Sequence, residues 1–123
     1  MTENKKNELP ETLNAIIEAL QEKKGNEILY IDLKKVGNAV CDYFVICHGN
    51  STTQVDSLSD AVLQNLKKEL NVSAHHVEGK NNSFWVLMDY SDILVHIFLD
   101  EHRKFYNLED LWADGELVKI ENE

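Results

Sequence analysis

The chain has 123 residues, 43% hydrophobic and 28% charged, which is the composition of one ordinary globular domain able to bury a core without staples. Its 12 basic residues face 22 acidic ones, for a net charge of −10. A field of that sign repels nucleic acid and anionic lipid, so neither is expected as the main contact, while a basic protein partner is permitted.

In chain order, Leu9, Leu13, Ile16, Ile17 and Leu20 recur at helical spacing, with Pro10 suited to the first turn and Gly25 to the stop. "EILYIDL" (27–33) predicts a strand, "VGNAVCD" (36–42) a loop, and "YFVICHG" (43–49) a strand buried on both faces. Ser51 and Gln54 then stand at capping-box spacing. Val55, Leu58, Val62, Leu66 and Leu70 give the helix that follows its apolar stripe. A third strand is expected at 73–79. "FWVLMDY" (84–90) and "ILVHIFL" (93–99) are separated only by Ser91 and Asp92, a hairpin with a two-residue turn. "DEHRKFY" and "NLEDLW" read as short helical turns, and residues 115–123 as a frayed acidic tail. The order α-β-β-α-β-β-β-α predicts a single α/β domain over 1–123, with its core at about 9–114 and a mixed five-stranded sheet flanked by helices.

The two-residue turn sets the hairpin register. Tyr90 pairs with Ile93, Met88 with Val95, Val86 with Ile97 and Phe84 with Leu99, an apolar side expected beneath helices. The other side carries Trp85 with Phe98, Leu87 with His96, and Asp89 with Leu94. A carboxylate is costly to bury unpaired, so Asp89 is expected near water or a partner. This mixed face is either a binding platform or the floor of a further helix.

Signals for chemistry are weak. Cys41 and Cys47 are too few for a disulfide framework and lack zinc-site spacing. His75 and His76 are strand neighbours that point to opposite faces, so no metal site is expected. "HGNST" before a helix could hold a phosphate, but helix capping already explains Ser51. Asp89 and Asp92 have opposite parity across a bend, unlike carboxylates that converge on shared cations. No cofactor and no catalytic set are expected. The start "MTENKKNELPET" lacks the apolar segment of a secretory signal, and no run reaches the roughly 20 apolar residues that span a bilayer. A cytoplasmic location, with no membrane partner, is the expectation.

"DYFVICHGNSTTQV", then "EG…WVLMDYSDILVHIF", then "RKFYNLEDLW", in that order from about Leu9 to Asp114, closely resembles the ribosomal silencing factor family (RsfS, also called Iojap). The resemblance implies a nucleotidyltransferase-like fold without the catalytic carboxylates, and hence no enzyme. It implies a translational brake used when nutrients are scarce. Such a factor binds the large ribosomal subunit through its protein number fourteen, blocks joining of the small subunit, and is a homodimer when off the ribosome. Taken with the mixed hairpin face, the resemblance points to Trp85, Leu87, Asp89, Tyr90, Asp92, His96, Arg103 and Tyr106 as the ribosomal-protein-binding set. Ser91 departs from the family's usual glycine, which takes a positive φ at no cost. In the closing cluster, Leu108, Leu111 and Trp112 have core spacing, while Arg103 and Tyr106 are candidate rim contacts. Two alternatives stay open: a nucleotide-binding or nucleotidyl-transferring enzyme, and a large-subunit assembly factor.

Overall fold

The structure is a computed structural model that describes residues 9–121. The outermost parts of the expected domain, residues 1–8 and 122–123, lie outside the described residues. Helix α1 (Glu11–Glu22) buries Leu13, Ile16, Ile17 and Leu20 along one stripe. It is closed where the Gly25 N–H donates to the Leu20 carbonyl at 2.9 Å. Strand β1 (Asn26–Asp32) leads through the 33–42 loop to β2 (Tyr43–Gly49), in which every residue is buried. Helix α2 (Thr52–Leu70) starts at Ser51, whose hydroxyl accepts from the Gln54 N–H at 3.1 Å. The reciprocal bond lands one residue early, because the Gln54 amide oxygen accepts from the Asn50 N–H at 2.8 Å. Asn71, in the left-handed conformation, ends the helix.

Strands β3 (His76–Glu78), β4 (Trp85–Asp89) and β5 (Ile93–Leu99) follow, then the short helices α3 (Asp100–Tyr106) and α4 (Leu108–Leu111), and strand β6 (Glu116–Lys119). The sheet order is β3-β4-β5-β2-β1-β6, and only β2 and β5 run parallel, with Tyr43 opposite Ile93. The β4–β5 register matches the expected pairs: Trp85 with Phe98, Leu87 with His96, and Asp89 with Leu94. Helices α1 and α2 cover the apolar side, where Val86, Met88, Tyr90, Ile93, Val95 and Ile97 join their stripes in the larger core cluster.

The sheet therefore has six strands rather than five. The stretch expected to be a frayed tail supplies the sixth, with Tyr30 opposite Val118 and the Ile120 N–H donating to the Ile28 carbonyl at 2.8 Å. Val118 and Ile120 pack on the core while Glu116 and Lys119 face water. Two apolar residues at strand spacing suffice once β1 offers an open edge. A charge-rich stretch hides that pattern.

Candidate binding surface on the open sheet face

The second sheet face is only half covered. Its β1–β2 part carries a small core of Leu29, Ile31, Phe44 and Ile46, closed by Leu108 and by Trp112, whose ring meets Phe44 edge-on at 5.5 Å. Toward β4 the cover stops. Trp85, Leu87, Asp89 and Leu94 are all half-buried, so this part of the face remains open. Trp85 belongs to a three-ring aromatic cluster: it stacks on Phe98 at 4.8 Å and meets Tyr106 of α3, tilted, also at 4.8 Å, while Phe98 and Tyr106 lie 6.3 Å apart. The Trp85 indole N–H donates to His96 Nδ1 at 3.1 Å. Tyr106 is 45% exposed and Phe105, edge-on to it at 5.1 Å, is 80% exposed. Exposed aromatics on a rigid element are the usual anchors of a protein contact.

The backbone around this face is pinned. At Gly79, φ is +90° and an added Cβ would fall 1.9 Å from the Trp85 carbonyl oxygen, so only glycine lets the β3–β4 turn close against β4. The Asp92 carbonyl accepts from the N–H groups of Asp42 and Tyr43 at 2.9 and 3.1 Å, which fixes the hairpin tip while the Asp92 side chain faces solvent. The Asp89 carboxylate accepts from the Ser91 N–H at 2.8 Å. Burial pushes the Cys41 thiol up to about 11, with smaller pushes from Asp42 and Asp89, so both carboxylates reach this end of the face. The rim is acidic.

The remaining sequence-derived candidates do not reach the surface. Tyr90 points to the helix side, where burial lifts its hydroxyl to about 12. The alternation that puts Asp89 on the open face puts its neighbour under α2. His96 lies in the floor, 5% exposed, with burial lowering its pKa to about 4. Arg103 is not a rim contact: it is 6% exposed. Its guanidinium meets Glu109 at 3.0 Å, the Asn26 carbonyl at 3.2 Å and His48 Nδ1 at 2.9 Å. That buried His48 has a lowered pKa, from burial first and the nearby Arg103 charge second. The open face thus gathers Trp85, Leu87, Asp89 and Tyr106, with Asp92 at its tip.

Three exposed side chains escaped the sequence reading. Phe84 was expected beneath helices. It is instead 41% exposed and stacked on His102 at 4.8 Å, because Ser83 takes a φ of 61° and β4 begins only at Trp85. Phe105 stands in the aromatic cluster of 100–112 with no core or surface assignment, since α3 is too short to show a period. Leu111 was assigned to the core but is exposed beside an open cleft lined by Val36, Asn38, Trp112 and Asp114.

The chain is thus a mixed α/β sheet carrying helices on one side and, on the other, a half-open aromatic face with an acidic rim. Residues 6–123 match the family model described as "Ribosomal silencing factor during starvation". The chain is 34% identical over 111 residues to the ribosomal silencing factor RsfS of Halalkalibacterium halodurans, covering 90% of this chain and 93% of that protein. A crystal structure of a Chromobacterium violaceum protein superimposes with a TM-score of 0.78 at 34% identity, covering 84% of each chain. A mouse relative, named "Mitochondrial assembly of ribosomal large subunit protein 1", is 31% identical over 86 residues, 64% of this chain and 37% of that one. The chain belongs to the ribosomal silencing factor family.

Proposed function

We propose that this protein represses translation under nutrient limitation by binding the large ribosomal subunit in the cytoplasm and blocking small-subunit joining by occlusion. The contact is with ribosomal protein number fourteen, through the open face, and off the ribosome the chain is a homodimer. The observation that carries this reading is the half-exposed Trp85, packed against Phe98 and Tyr106, with Asp89 and Asp92 at the rim. The aromatics supply apolar area, and the carboxylates select Lys and Arg on the partner.

Occlusion suits these residues better than catalysis. The Asp89 carboxylate is engaged by the Ser91 N–H, and Asp92 lies across the turn with its side chain in solvent, so the two do not form a cation-sharing pair. The mouse relative's name favours a second reading, in which the same surface serves large-subunit assembly.

Co-sedimentation with isolated large subunits tests the proposal. The wild-type chain should pellet with them and lower the yield of reassociated ribosomes. Trp85→Ala should weaken binding by about 2 kcal/mol, the cost of truncating an interface anchor. Adding Asp89→Lys should abolish it. Retention of both activities by the double variant would exclude this face. Accumulation of precursor large subunits in a deletion strain under nutrient-rich conditions would select the assembly reading.

A further inference from the structure

We infer that His96 is a positioning residue for the partner-binding tryptophan: its neutral imidazole accepts the Trp85 indole N–H and holds the indole in the orientation the open face presents. The inference rests on the binding surface proposed above and says what keeps that surface in shape.

Ring contacts alone do not fix Trp85. Phe98 and Tyr106 each lie 4.8 Å from it and 6.3 Å from one another, so they flank the indole on adjoining sides rather than opposite ones. Ring contacts at such distances constrain tilt and spacing well and in-plane rotation poorly. The bond from Nε1 to His96 Nδ1, 3.1 Å long, supplies the missing constraint because it has a direction.

The identity of residue 96 supports this role. Its ring meets Phe44 edge-on at 4.6 Å and shares its cluster with Phe98 and Trp85. A leucine or phenylalanine would fill that space without bringing polar atoms into it. Because Nδ1 accepts, the proton of the neutral ring sits on Nε2. That nitrogen is buried and has no hydrogen-bond partner among the described residues. An unpaired buried donor is a cost that an apolar residue avoids. Among the described residues, the bond to Trp85 is the one contact that uses the polarity of the imidazole. A tryptophan fixed before the partner arrives loses less freedom on binding, so His96 acts on affinity through Trp85 without touching the partner.

Two substitutions separate polarity from packing. His96→Phe keeps a ring and removes the acceptor, whereas His96→Asn places an amide oxygen close to the position of Nδ1. Fluorescence is read in a Trp112→Phe background, where Trp85 is the sole tryptophan, and binding to large subunits in the otherwise unaltered chain. His96→Phe should move Trp85 emission to longer wavelength and weaken binding by about tenfold, the weight of one hydrogen bond. His96→Asn should restore both toward wild type. Wild-type emission and wild-type affinity in a folded His96→Phe variant would overturn the inference. Should that variant fail to fold, indole N–H exchange in the unaltered protein decides. Exchange slowed by about tenfold or more supports the bond, and exchange at the free-indole rate rejects it. If Trp85→Ala binds large subunits as wild type does, the surface proposal fails, while the emission shift still reports on positioning.

Discussion

Ser91 has a φ of 71°, in the left-handed region that suits glycine. The Asp89 carboxylate accepting its N–H at 2.8 Å holds it there. A side chain at such a φ carries a cost of order 1 kcal/mol. Ser91→Gly removes the crowding Cβ but adds freedom to the unfolded chain, which offsets part of the gain. The net effect should be a stabilisation of about 0.5 kcal/mol and a melting temperature higher by about 2 °C. Calorimetry on the purified variant checks it, and a lower melting temperature would show that the freedom glycine adds to the unfolded chain outweighs the strain it relieves. The residues flanking this turn were legible because strand alternation and a two-residue connection leave a single register. The strain at Ser91 was visible only by contrast with the glycine of the resembling family. No local pattern in the chain marks it.

Helix α3 buries a guanidinium in place of an apolar stripe, and the same group reaches α4, whose Leu108 enters the small core. Arg103 ties α3 to Glu109 of α4, to the Asn26 carbonyl of β1 and to His48 of β2. Arg103→Ala leaves Glu109 with an uncompensated, mostly buried charge and should cost about 3 kcal/mol. Arg103→Lys keeps the charge but not the fork, and should fall between. Urea unfolding followed by far-UV circular dichroism measures both, and a loss below about 1 kcal/mol for the alanine variant would mean that apolar contacts alone hold these helices. The long elements were readable because α2 repeats its apolar residues over five turns' worth of chain and β2 is apolar throughout. The seven residues of α3 show no period, and the Arg103 partners lie far away in sequence, so its burial and the exposure of Phe105 and Leu111 emerge only in three dimensions.

At the scale of the whole molecule, two histidines are folded into the sheet, His96 in the floor of the open face and His48 against Arg103. In the unfolded chain each takes up a proton near its ordinary 6.5, whereas burial holds His96 down to about 4 and lowers His48 as well. Below 6.5 the unfolded chain therefore binds protons that the folded protein refuses, so stability should fall with pH. The loss from His96 accumulates between 6.5 and about 4 and amounts to roughly 3 kcal/mol. Melting curves across that interval should show the slope, and His96→Asn, which does not titrate, should flatten it. The sheet order has a kinetic consequence too. The opening strand β1 meets β6, the last element described, and the central parallel pair joins β2 to β5 across the whole of α2, β3 and β4. A topology so dependent on distant partners folds slowly. During synthesis the first hairpin emerges with two bare margins, each a template for stray pairing. A nascent chain of this protein thus spends its most aggregation-prone interval still attached to a ribosome, waiting for the segments that will complete its sheet.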